Sequence, residues 1–117
     1  MTEHHNSTEQ LKDFIIMCLE EKKAENISVV NLENKTSIAK IMIFASGRSS
    51  KNVSAIADYV AHELKHKTDI KVRIEGLNVS EWVLIDIGDI IIHVFHPEAR
   101  NYYKVEDKWR EEDTNKS

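Results

Sequence analysis

Between Glu81 and Pro97 the chain reads E-W-V-L-I-D-I-G-D-I-I-I-H-V-F-H-P, two apolar, β-branched runs separated by Gly88-Asp89. A Gly-Asp pair between such runs makes a two-residue hairpin turn, and a turn of fixed length fixes the strand register. The predicted partners are Ile87 with Ile90, Asp86 with Ile91, Ile85 with Ile92, Leu84 with His93, Val83 with Val94 and Trp82 with Phe95. Successive side chains leave a strand on opposite faces, so the two sides of this hairpin differ in chemistry. Val83, Ile85, Ile87, Ile90, Ile92 and Val94 make one side apolar throughout, which suits a core. Trp82, Leu84, Asp86, Ile91, His93 and Phe95 make the other. That mixture is a poor core and a good docking surface. Asp86 at its middle favours exposure, because a buried carboxylate needs a partner that the sequence does not identify.

The rest of the chain supplies the elements that surround this hairpin. Ser7 or Thr8 can cap a helix to about Lys23, in which Leu11, Phe14, Ile15, Cys18 and Leu19 form one apolar stripe. Strands follow at Ile27–Leu32 and, after the polar turn E-N-K-T-S, at Ile38–Ala45, the latter apolar enough for an inner strand covered on both faces. In the loop S46-G-R-S-S50, Gly47 is free to take a positive φ and Ser49 or Ser50 can cap a second helix. Its buried stripe is Val53, Ile56, Ala57, Val60, Ala61 and Leu64, with Lys51, Asp58, His62, Glu63 and Lys65 outward and an end near Lys67-Thr68. A third strand, Ile70–Glu75, alternates apolar and charged residues and belongs near an edge, and Gly76–Ser80 is a loop. Pro97 ends the last strand and starts a short helical turn up to about Glu106, with Trp109 the last residue expected to pack.

This order predicts an α/β (α+β) sandwich, a mixed five-stranded sheet flanked by helices. The strand-helix-strand segment from Ile38 to Glu75 has the length of a crossover and predicts parallel pairing between its strands, while the Gly88-Asp89 hairpin is antiparallel. With 117 residues the chain fits one domain, read here as 8–109, with polar tails at 1–7 and 110–117.

Composition excludes several classes of function. The net charge of -4 argues against a domain that holds nucleic acid by neutralising phosphates, and so against sequence-specific nucleic-acid binding. No apolar run approaches the roughly 20 residues that span a bilayer, and the opening M-T-E-H-H-N-S-T-E has neither a secretory nor a transit-peptide pattern, so the expected compartment is the cytoplasm. The lone Cys18 sits in a helix stripe as a small core hydrophobe. His4 and His5 in a frayed tail lack the further ligands of a metal site. No metal or cofactor is therefore expected.

Catalytic patterns are weak. The Ser46–Ser50 loop precedes a helix N-terminus, where anions bind, but it has one glycine and matches neither phosphate-binding fingerprint. A nucleotide-binding or nucleotidyltransferase-like enzyme using this loop is the second reading. Asp86 and Asp89 are three apart across a turn and do not form the Asp-x-Asp pair of a two-metal site; Asp89 suits the turn itself. His93 and His96 fall on opposite strand faces. A binding module, not an enzyme, is the first reading.

The segments T36-S-I-A-K-I-M-I-F-A-S-G-R-S-S-K-N-V-S-A-I-A-D58, V72-R-I-E-G76, E81–P97 and R100-x-x-Y103-x-x-E106-x-x-W109 closely resemble the ribosomal silencing factor family, also called the Iojap family. The likeness runs from about Leu11 to Trp109 and is carried most specifically by W-V-L-I-D-I-G-D followed by H-V-F. It implies a mixed five-stranded sheet, distantly similar to nucleotidyltransferases but without their catalytic acids. It implies a bacterial, cytoplasmic repressor of translation that binds the large ribosomal subunit through ribosomal protein L-fourteen and blocks the small subunit from joining when nutrients are short. The residues matching the family's docking surface are Trp82, Asp86, Asp89 and Tyr103, and the register argument adds Leu84, His93 and Phe95. Lys40-Ile41 departs from the S-I-A-D-Y pattern of many relatives. A homodimer is a further expectation, since an open apolar sheet face can pair with itself.

Overall fold

Two helical stripes and five strands account for the architecture. The computed structural model describes residues 7–32, 37–76 and 81–100 in full and the backbone of 101–103. His4 and His5, the turn after Leu32, the loop 77–80, Trp109 and the end of the domain lie outside the described residues.

Helix α1 (Thr8–Glu21) starts at Ser7, whose hydroxyl accepts the Gln10 N–H at 3.2 Å. It buries Leu11, Ile15, Cys18 and Leu19, and Phe14 packs at their margin. Helix α2 (Ser50–Lys67) is capped by Ser49, which accepts the Asn52 N–H at 3.1 Å, and it buries all six expected stripe residues. Burial pushes the Cys18 thiol up to about 11, so at neutral pH it is an apolar filler. Both helices lie against one face of the sheet, on Ile41, Ile43 and Ala45 and on the apolar side of the predicted hairpin.

The strands are β1 (Glu25–Asn31), β2 (Ile41–Ser46), β3 (Arg73–Gly76), β4 (Trp82–Asp86) and β5 (Ile90–Phe95), in the order β1-β2-β5-β4-β3. The β4–β5 register is the predicted one, from Trp82 opposite Phe95 to Asp86 opposite Ile91, and the Ile87 N–H closes the turn on the Ile90 carbonyl at 3.1 Å. Gly88 takes φ 96, a left-handed value that suits glycine. The expected parallel partner is corrected: β2 pairs in parallel with β5, not β3, and α2 carries the chain past two strand positions to the far edge. The residues explain why. A strand set between β2 and a further strand must tolerate burial on both faces, as I-I-I-H-V-F does, whereas Arg73 and Glu75 belong at a wet edge.

Gly47 is needed for space and not for its dihedral freedom. Among the described residues the positive-φ glycine is Gly88, and a Cβ on Gly47 would lie 2.9 Å from both Val53 Cγ2 and the Val53 backbone nitrogen. Gly47→Ala is expected to destabilise the fold by about 1–3 kcal/mol in urea denaturation, because backbone at a helix start has little room to yield. Gly76→Ala, where nothing lies within 4 Å of the added Cβ, should stay within about 0.5 kcal/mol of the parent.

The opposite sheet face carries a smaller cluster of Val30, Leu32, Ala39, Met42, Phe44, Ile91 and Phe95. Helix α3 (Pro97–Tyr103) folds back over it and adds Ala99. Trp82 and Leu84 sit at the margin of this cluster. Among the described residues the helix pair thus fills one side of the sheet, and the other is partly open along β4 and β3.

Candidate docking face

Alternation puts Trp82, Leu84 and Asp86 in one column on β4, and all three are half-buried while Val83 and Ile85 between them are buried. The antiparallel register adds Glu75 opposite Leu84 and Arg73 opposite Asp86, both exposed on the edge strand. Between these residues and Ile74 lies a shallow depression of ≈ 270 Å³. Arg73 and Glu75 were not anticipated as part of this face. Their charge alternation marks a wet strand, but its alignment with β4 depends on long-range pairing.

Beneath the column the residues are buried. His93 is 4% exposed and Phe95 0% exposed, which corrects the expectation of an outward surface for these two. Their rings and that of Phe44 are stacked nearly parallel, with Phe44 4.9 Å from His93 and 6.4 Å from Phe95. The Trp82 indole lies 5.0 Å from the Phe95 ring and donates its Nε1–H to His93 Nδ1 at 3.0 Å. His93 and Phe95 therefore form a rigid floor that orients the indole.

The indole hydrogen bond also settles the His93 tautomer. Nδ1 accepts, so the neutral ring carries its proton on Nε2, which has no acceptor among the described residues. Burial lowers the His93 pKa from 6.5 to about 4. Since the unfolded chain binds this proton at higher pH than the folded one, the folded state has its full advantage above about pH 6.5 and loses it as pH falls towards 4. The loss is expected to be about 3 kcal/mol, read as a drop in urea midpoint between neutral pH and about pH 4.5. His93→Gln should flatten that part of the profile. A slope unchanged in the variant would show that other groups cause it.

The two aspartates serve the hairpin. Asp86 Oδ1 accepts the Gly88 N–H at 2.8 Å and its second oxygen lies 3.9 Å from the Arg73 guanidinium. These are the partners that the sequence did not identify, and they let the carboxylate sit half-buried. Asp89, at the exposed tip, is a joint between elements. Its carbonyl accepts the N–H groups of Lys40 and Ile41 at 2.8 and 3.1 Å, and its carboxylate accepts the Thr8 hydroxyl at 3.1 Å with Lys40 Nζ 3.9 Å away. The unusual Lys40 thus meets Asp89. Tyr103 ends α3, and its side chain lies outside the described residues.

The Ser46–Ser50 loop is closed on itself. Gly47 N–H donates to the Phe95 carbonyl, Arg48 N–H to Asn52 Oδ1 and Asn52 N–H to the Ser49 hydroxyl. The buried Ser46 hydroxyl accepts from the Arg100 guanidinium at 2.8 Å. The amides of Gly47, Arg48 and Asn52 are thus engaged within the chain and are not offered to a phosphate. Among the described residues no helix is long and apolar enough to cross a membrane.

Comparison with known proteins finds relatives over most of the chain. A family model described as "Ribosomal silencing factor during starvation" matches residues 5–117. A ribosomal silencing factor of Zymomonas mobilis is 44% identical over 101 residues, which cover 86% of this chain and 76% of that protein. A mouse protein named "Mitochondrial assembly of ribosomal large subunit protein 1" is 28% identical over 100 residues, covering 83% of this chain and 44% of that one. A crystal structure from Chromobacterium violaceum superposes with a TM-score of 0.83 at 34% identity, over 88% of this chain and 86% of the other.

Proposed function

The chain belongs to the ribosomal silencing factor family, and from that membership we propose that it represses translation by occupying the large ribosomal subunit. In this reading it docks on ribosomal protein L-fourteen through the β4 column and blocks the small subunit from joining when nutrients are short, in a bacterial cytoplasm. The observation that carries the reading is the half-exposed Trp82 indole, fixed by His93 and Phe95 on a sheet face that the helix pair leaves open. An anchored aromatic flanked by Leu84 and a charged rim of Arg73, Glu75 and Asp86 has the make-up of an interface hot spot. Asp89 and Tyr103 would extend the contact at its two ends.

The action is steric. A net charge of -4 suits a basic ribosomal protein and would speed encounter more than it deepens affinity. The name of the mouse relative points to the same subunit. A second copy could use the same open face, and such a dimer would compete with the ribosome. The test is direct: the purified chain, added to separated subunits, should sediment with the large one and lower the yield of joined particles. Failure to sediment with isolated large subunits would refute the proposal.

A further inference from the structure

On the exposed side of α2, away from the sheet face, the chain reads His62-Glu63-Leu64-Lys65-His66. Residues four apart on a helix stand one above the other, and here the two imidazole centroids are 4.0 Å apart with both residues exposed. His66 Nδ1 lies 2.9 Å from the His62 backbone oxygen. A carbonyl oxygen can only accept, so Nδ1 carries the proton and Nε2 keeps the lone pair. A histidine held through its other N–H by a carbonyl is oriented as a metal ligand should be.

We propose that His62 and His66 form a two-histidine chelate for a borderline divalent transition-metal ion of the zinc type. Neutral imidazole suits such ions, whereas magnesium and calcium prefer oxygen ligands. Asp58, one turn before His62 on the same stripe, adds favourable charge, while Lys65 and Lys67 oppose it. The five-residue pattern H-E-x-x-H also occurs in zinc peptidases, where a third ligand and a free glutamate complete the site. Here Glu63 is paired with Lys67 Nζ at 3.2 Å, and among the described residues no group of three or more His, Cys, Asp or Glu converges. The site therefore binds a metal ion with open positions for water, and it is not assigned peptide hydrolysis.

The experiment is calorimetric titration of the full chain with Zn²⁺ at neutral pH, alongside imidazole NMR spectra of the same samples. The expected result is a site whose filling shifts His62 and His66 together, with no response to Mg²⁺. His62→Ala and His66→Ala should each weaken Zn²⁺ binding by about tenfold or more, and His4→Ala with His5→Ala should leave this site intact. Zn²⁺ binding that survives both α2 substitutions, vanishes with the tail substitutions, or is absent from the whole chain overturns the proposal. Because both histidines are exposed, the variants should retain the parent's thermal unfolding midpoint. Any variant that does not is replaced by His62→Gln or His66→Gln, judged by the same affinity ratio.

Discussion

Trp82→Ala is expected to weaken binding to the large ribosomal subunit by about 2 kcal/mol or more, roughly 30-fold in affinity. The indole rests on Phe95 and is pinned through its N–H to His93. Little side-chain freedom is then lost when a partner covers it, which is what makes an aromatic anchor effective. Trp82→Phe keeps a ring over Phe95 but loses the N–H, and should fall between alanine and the parent. Met17→Ser, an exposed position on α1, which packs on the opposite side of the sheet, should bind as the parent does. Sedimentation titration at one fixed salt concentration measures all three. Parent-like affinity in Trp82→Ala would remove the β4 column from the proposed interface.

Phe44→Ala is expected to cost about 3–5 kcal/mol of folding free energy. Phe44 is fully buried on the inner strand β2, in the same cluster as Phe95 of the indole floor and Ala99 of α3. Its ring stacks on His93, so truncation removes apolar contact and leaves a hole beside an imidazole whose Nε2–H already lacks an acceptor among the described residues. Domains of this size are stable by only about 5–15 kcal/mol, so the loss is a large share of the total. Urea unfolding at neutral pH should show a lower midpoint with an unchanged slope. A loss under about 1 kcal/mol would mean that the site collapses around the missing ring.

What the sequence revealed was local periodicity. The Gly88-Asp89 pair set the hairpin register, and the spacing of Val53 to Leu64 named every buried residue of α2. Alternation says which side chains share a face, but not what covers it. His93 and Phe95 do share a face with Trp82, yet β5 is enclosed because β2 lies beside it and α3 returns over it. The first is a long-range pairing with no signal inside Glu81–Pro97, and Pro97 announces a helix without saying which face it covers. The same reason hid one partner of Asp86, an arginine on a strand whose alignment is set by the sheet, while the other, the turn amide two residues on, is local. Gly47 was legible as special, but its reason was not, since the Val53 contact exists only once α2 has packed. The crossover gave the direction of β3 but not its place.

The strand order bears on how the molecule comes into being. β5, the last strand synthesised, lies between β2 and β4. A fragment ending before β5 can pair β1 with β2 and β3 with β4 but cannot join the two halves, which meet only through β5. Such a fragment lacks the indole floor, because His93 and Phe95 lie on β5, and closing the sheet waits on the pairing of β5 with β2, far earlier in the chain.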